Sequence, residues 1–264
     1  MLSVQPTKIF VIMNLELNRI QALICLDFDG VLFDTAKEAY IMAREAYFGD
    51  IADQPTLDSY EQFLLLRPFV LSAWQYRLVF ELISSEMDNA VLLQKYREKS
   101  IVYKPQTIDR DFEQNFNRVR DGAIKQDKKA WLRLHEPYSF FEKIKSTLIE
   151  CPQYFQIVST KGKRFILELL ISHNVPWGRD QVWGRDEFEK CGQSKAAILE
   201  SYASAKDILF IDDSEQHLNE LNHLDNVECI LANWGYTEGT YTEDNTDFVV
   251  LKVKKYLDRL HCSY

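Results

Sequence analysis

The sequence predicts an α/β protein: a Rossmann-like doubly wound parallel sheet core with an all-helical cap domain inserted into it. Three observations carry this. First, short runs are almost wholly apolar, as parallel strands buried on both faces are: ALICL at 22–26, YFQIV at 154–158, DILFI at 207–211, VECIL at 227–231 and DFVVL at 247–251. Second, segments with helical spacing alternate with them, which implies crossover helices. Third, roughly a hundred residues after the first run hold no strand-like stretch and repeat apolar positions at helical spacing instead.

Taken in order, residues 1–20 read as an N-terminal extension, and Met13 offers a second start that would make residues 1–12 dispensable. Residues 21–35 carry the first strand and the turn after it. Residues 36–137 form the cap, with helices expected in AKEAYIMAREAY, SYEQFLLL, AWQYRLVFELI, DNAVLLQKYREK and DFEQNFNRVRDGAIK. The core resumes over 138–264, where Ser139 and Glu142 match a capping box that opens a helix. Further helices are expected over 163–173 and 194–202. The repeated WGRD at 177–180 and 183–186 is too short to mark an internal repeat.

The 264 residues, 46% of them apolar, suffice for one core plus a large insertion. A net charge of −9, from 40 acidic against 31 basic residues, disfavours nucleic acid and anionic membranes as partners. No apolar run reaches the ~18–20 residues of a membrane span, and the N-terminus lacks the pattern of a secretory leader. Five scattered cysteines (Cys25, Cys151, Cys191, Cys229, Cys262), without a C-x-x-C pair, read as unpaired thiols and exclude a structural zinc site. Together these features predict a cytoplasmic protein.

The densest chemistry follows the first strand, in Asp27-Phe28-Asp29-Gly30-Val31-Leu32-Phe33-Asp34-Thr35. An Asp-Gly pair between apolar residues also signals a hairpin. A wholly apolar strand ending in two carboxylates, however, puts them at the carboxyl edge of a parallel sheet, where α/β folds bind ligands. Such a pair can divide labour between a nucleophile or metal ligand and a general acid and base. Asp212 and Asp213 close another strand; adjacent carboxylates need a cation, and an all-oxygen cluster suits Mg²⁺. The following Ser214 also fits a helix cap. Ser159 and Thr160 end a third strand where a helix begins, a place that attracts anions and that a plain cap explains as well. Lys195, at the start of another expected helix, is on its own an ordinary surface lysine.

In this order the four pieces resemble the four motifs of the haloacid dehalogenase superfamily, with Asp27 to Thr35 matching D-x-D-G-[V/T]-L-x-D-[S/T] in full. Ser159 matches the second motif and Lys195 the third, with Lys190 and Lys161 as fallbacks. Asp212 and Asp213 match the fourth. Trp234-Gly235-Tyr236 is similar to the segment after the fifth strand in phosphoglycolate phosphatase-like members. The fourth motif departs from the form G-D-x-x-x-D: its last acid is His217, expected on a helix surface, with Asp212 substituting for the missing acid.

The resemblance implies a phosphoryl-transfer site. Asp27 would attack phosphorus to form an aspartyl-phosphate, and Asp29 would serve as acid and then base. Asp27, the Asp29 backbone carbonyl and Asp213 would hold Mg²⁺, with Asp212 acting through water. Ser159 and Lys195 would hold the phosphoryl oxygens, with Thr160 beside them. The insertion lies where the type-one helical caps of this family lie, and Arg44, Arg67 and Arg77 are candidates for a second anionic group on the substrate. For each arginine a solvated or salt-bridged helix face is the plainer account. The implied function is a phosphatase for a small phosphorylated metabolite of the phosphoglycolate or sugar phosphate class. A phosphomutase and a non-catalytic binding protein of the same fold are the alternatives, and a nucleic-acid end phosphatase would need a basic path. Residues 91–135 carry a local charge of +5, leaving −14 elsewhere, a polarity that suits an anionic small substrate.

Overall fold

The first apolar run forms strand β1 (Ala22–Leu26), all five residues of it buried. The remaining strands follow as β2 (Phe33–Asp34), β3 (Glu136–Pro137), β4 (Phe155–Val158), β5 (Val182–Trp183), β6 (Asp207–Asp212) and β7 (Val227–Leu231). This is a computed structural model that describes residues 22–49, 56–188, 194–202, 207–239, 241 and 243–259. Five strands make one sheet in the order β5-β4-β1-β6-β7, and β2 and β3 form a separate two-stranded sheet. Every pairing in the large sheet is parallel, with Ile24 opposite Phe155 and Leu26 opposite Ile211. From β1 the chain builds outward through β4 and β5, then returns to the other side of β1 for β6 and β7. The carboxyl end of β1 is therefore the point where strand order reverses, the usual ligand crevice of open α/β sheets.

Both faces of β1 are covered, which is why its sequence does not alternate. Leu23 and Cys25 pack with Ile198, Leu199, Tyr202 and Phe210, while Ile24 and Leu26 point to the opposite face. The described residues divide into two compact units, one comprising residues up to 33 and from 137, the other residues 34–136. The second unit holds α1 (Ala36–Phe48), α2 (Leu57–Leu66), α3 (Gln75–Ile83), α4 (Asn89–Val102) and α5 (Thr107–Leu132), so the hundred strand-poor residues fold as helices. Tyr40, Phe63, Tyr76, Phe80, Phe112 and Phe116 lie in their shared core. Polar anchoring comes from Glu38, fully buried on α1, which accepts both Nε (2.6 Å) and Nη2 (2.8 Å) of Arg120 and Nε1 of Trp131 (3.0 Å). That triad clamps α1 to both halves of α5, which bends at Asp127 (φ −151, ψ 87).

The first unit adds α6 (Ser139–Glu150), α7 (Lys163–Ser172), α8 (Arg185–Phe188), α9 (Lys195–Glu200), α10 (Glu215–Asn219) and α11 (Thr246–Asp258). Four expectations need correction. Residues 247–251 are helical, within α11, because the buried positions Val249, Val250, Val253, Tyr256 and Leu257 continue at helical spacing beyond the short run. Tyr154 lies in a single 3-10 turn before β4. The capping box at Ser139 does not form: Tyr138 is the cap, and Ser139 already lies in the first turn. Cys25 and Cys229 are thiols, but Cys151 is disulfide-bonded, which removes the cysteine argument for a reducing compartment; Cys191 and Cys262 lie outside the described residues.

Removing one partner of a buried ion pair strands the other charge, at a cost of about 3–5 kcal/mol. Arg120→Met is expected to lower the urea stability of the helical unit by that amount, and Glu38→Leu combined with Arg120→Met to recover part of it. An Arg120→Met protein as stable as the wild type would contradict the clamp.

Candidate active site

The β1–β6 ladder runs one residue past β1, because the Asp27 amide donates to the Ile211 carbonyl at 2.9 Å. Asp27 therefore stands beside Asp212, and both are buried, at 6% and 0% exposure. Two adjacent buried carboxylates repel each other and lose hydration. Between them sits the Lys195 ammonium, 2.7 Å from Asp27 Oδ2 and 2.6 Å from Asp212 Oδ2. Lys195 opens α9, whose N-terminus is fixed by Ser194 Oγ accepting the Ala197 amide at 3.0 Å. The lysine is therefore no surface residue.

Electrostatics follow from this contact. Burial disfavours the Lys195 cation, but Asp212 and Asp27 more than offset it, and its pKa is raised. Burial also disfavours the Asp212 anion, yet Lys195 and His217 hold its pKa well below the usual carboxylate range. Asp212 Oδ1 additionally accepts the Ser214 amide at 2.9 Å. For Asp27 burial wins and the pKa is raised, with Lys195 opposing and the Asp212 charge adding to the rise. His217, expected on a helix surface, instead places Nδ1 3.3 Å from Asp212 Oδ2 with its side chain only 12% exposed. It comes inward because it lies in the first turn of α10, immediately beyond the strand that carries Asp212.

Asp213 turns away from this cluster into a cradle of glycines. Its Oδ2 accepts the Tyr236 amide at 2.6 Å. Gly30 has φ +86, and a Cβ there would stand 1.9 Å from Asp213 Oδ2. A Cβ on Gly235 would meet the Gly30 carbonyl oxygen at 2.2 Å. Trp234 Nε1 donates to the Val31 carbonyl at 3.1 Å, so the Trp234-Gly235-Tyr236 segment is fastened to the loop after β1. That loop is a tight turn, with Gly30 N donating to Phe33 O at 2.9 Å and Asp29 bridged to Phe33. The Asp-Gly pair thus lies in a turn at the sheet edge but not in a hairpin, since the Asp29–Phe33 bridge is parallel and β2 pairs with β3.

Ser159 is buried at the end of β4, its amide donating to the Trp183 carbonyl at 2.9 Å and its Oγ accepting the Lys161 amide at 3.4 Å. Thr160 follows it, half-buried. Lys161 reaches across to Asp29, Nζ to Oδ1 at 3.1 Å. Of the three lysines considered for the third motif, Lys195 therefore meets Asp27, Lys161 meets Asp29, and Lys190 lies outside the described residues. The sequence offers Lys161 only as a fallback for the third motif and His217 only as a helix-surface residue; neither has a local signal, since their partners are over a hundred residues away or in a separate element.

The cap arginines are engaged within the helical unit. Arg77 binds Asp109 (2.5 Å), Glu81 (2.9 Å) and the Tyr103 hydroxyl (2.9 Å). Arg67 is buried, with Nη1 donating to the Val70 carbonyl at 3.2 Å. Arg44 lies over the Phe48 ring and lines a cavity of about 630 Å³ with Asp58, Ser59 and Gln62.

A divalent cation has two places to consider. Among the described residues, ligand atoms of Asp27, Asp212 and His217 lie within 4.8 Å of one another, but the Lys195 ammonium already bridges those two carboxylates. Asp213 offers a further buried carboxylate beside the Gly30 turn, and carboxylate oxygens are the donors a hard cation such as Mg²⁺ takes. The donor chemistry fits Mg²⁺.

No protein-family model and no curated protein matches the chain. Solved structures do. A "predicted phosphatase" from Clostridium acetobutylicum superposes with TM-score 0.52 at 16% identity, over 89% of this chain and 99% of its own. A "predicted phosphoglycolate phosphatase" from Haemophilus somnus gives 0.50 at 12% identity, over 88% and 98%. A haloacid dehalogenase-like hydrolase from Streptococcus pneumoniae gives 0.50 at 12% identity, over 90% and 98%. The chain has the haloacid dehalogenase fold. Within that fold, Asp27, Asp29, Ser159, Lys195, Asp212 and Asp213 all lie at or just beyond the carboxyl ends of β1, β4 and β6 or at the start of α9.

Gly30→Ala tests the cradle. Left-handed strain alone costs roughly 1–2 kcal/mol, and the displaced Asp213 adds to it. A lower denaturation midpoint together with weaker Mg²⁺ binding by titration calorimetry is expected; a variant unchanged in both would refute the packing described.

Proposed function

We propose that the chain is a Mg²⁺-dependent phosphatase acting on a small phosphorylated metabolite through an aspartyl-phosphate on Asp27. The observation that carries this reading is the buried Asp27–Lys195–Asp212 contact at the strand-order reversal. It leaves Asp27 at the crevice with an ammonium beside it, so that a phosphate dianion meets a carboxylate whose charge is already offset. The carboxylates of Asp27 and Asp213 and the Asp29 carbonyl oxygen would hold Mg²⁺, with Asp212 acting through water, and the ion would supply the remaining neutralisation of the phosphoryl oxygens.

The chain's own groups then divide the work. A carboxylate oxygen of Asp27 forms a bond to phosphorus as the bond from phosphorus to the leaving alcohol oxygen breaks. Asp29 gives its proton to that oxygen. Asp29 next takes a proton from water, whose oxygen bonds to phosphorus while the phosphorus–Asp27 bond breaks, returning the Asp27 carboxylate and releasing inorganic phosphate. Ser159 and Lys195 hold the phosphoryl oxygens through both steps, and Thr160 flanks them. Substrate selection falls to the helical unit. Arg44 lines the cavity within that unit and is the arginine we assign to a second anionic group on the substrate. Among the described residues no helix is long and apolar enough to cross a membrane.

Hydrolysis of p-nitrophenyl phosphate is expected to require Mg²⁺, to stop with a chelator, and to fall at least about a thousandfold in Asp27→Asn. Turnover persisting in a folded Asp27→Asn protein would refute the nucleophile.

A further inference from the structure

The site holds two lysines, and the reaction above uses only Lys195. We infer that Lys161 is a positioning residue for Asp29, fixing the carboxyl group that serves the leaving oxygen; this rests on the phosphatase reading. Its Nζ stands 3.1 Å from Asp29 Oδ1 and 3.5 Å from Oδ2, within reach of both oxygens. The Lys161 side chain is 1% exposed, whereas that of Asp29 is 21% exposed. The lysine is thus the buried, anchored partner and the aspartate the one that faces the open side.

The anchoring is visible in the backbone. The Lys161 carbonyl accepts the Arg185 amide at 3.0 Å, and the Lys161 amide donates to Ser159 Oγ at 3.4 Å. A Cβ on Gly184 would fall 2.4 Å from the Lys163 amide nitrogen and 2.9 Å from the Lys161 carbonyl oxygen, so the turn after β5 seats directly on residues 161–163. Burying an ammonium is costly unless it is paired, and a side chain held this rigidly determines where its partner rests. Asp29 follows β1 on a tight turn closed by a single bridge to Phe33, and it must meet an oxygen that differs from substrate to substrate. One lysine, at the start of α9, therefore holds the nucleophile, and a second, just beyond β4, holds the acid and base. The two carboxylates stay separate in position and in role.

Asp29 acts as the acid only up to release of the alcohol, the part of the reaction that kcat/KM reports, and there its position matters most where the oxygen leaves poorly. Lys161→Met is expected to lower kcat/KM about tenfold or more on an alkyl phosphate and less than threefold on p-nitrophenyl phosphate. Lys161→Arg should recover part of the alkyl phosphate rate, which a mere loss of packing would not allow. A crystal structure of Lys161→Met should show the Asp29 carboxyl group displaced from its wild-type rotamer. Equal losses on both substrates, or Asp29 unmoved in that crystal, would overturn the inference. A wild-type protein that hydrolyses neither substrate would instead overturn the phosphatase reading, while the crystal of Lys161→Met still reports on Asp29.

Discussion

Everything at the carboxyl edge of the sheet depends on one ammonium group. Asp27 and Asp212 end neighbouring strands whose register brings their carboxylates side by side in a place where water is largely excluded. At such separations like charges interact strongly, because the surroundings screen them poorly. Lys195 resolves the conflict by touching both. The arrangement keeps Asp212 ionised and leaves Asp27, pushed up by burial and by its neighbour, as the more easily protonated member. A carboxylate kept close to a fixed cation and next to a crevice is suited to meet an anion, which is why the proposed phosphoryl transfer begins there.

A second constraint is steric. Gly30, Gly235 and Asp213 come from three separate stretches and pack with no room for a Cβ at either glycine. The turn after β1 needs Gly30 for its positive φ, and Asp213 needs the same vacancy for its side chain. One residue thereby satisfies a backbone demand and a packing demand together, while Trp234 ties the third stretch to the same turn.

Much of this was legible in the sequence, and for identifiable reasons. Strands buried on both faces carry a strong signal, so β1, β4 and β6 stand out, and with them the acids that close β1 and β6; β7 shows as an apolar run although most of it is half-buried. The helical unit is legible from its periodicity. The two-residue β5 is too short to show any period, and residues 247–251 look like a strand only when cut off from the helical positions that follow. What lies between distant segments leaves no local trace. Nothing near Lys161 points to Asp29, nothing near His217 points inward, and the arginines of the cap look alike until Asp109, Glu81 and Tyr103 are seen around Arg77. The disulfide at Cys151 belongs to the same class, since pairing is a matter of tertiary distance.

The central claim is that Lys195 offsets the repulsion between Asp27 and Asp212, and a double-mutant cycle in folding stability measures it without reference to any substrate. Lys195→Met, Asp27→Asn and the double variant would be unfolded in urea beside the wild type. If the ammonium holds these carboxylates together, Lys195→Met alone is strongly destabilising, and adding Asp27→Asn restores part of the loss, with a coupling of about 1–3 kcal/mol. Strictly additive effects of the two substitutions would contradict the account.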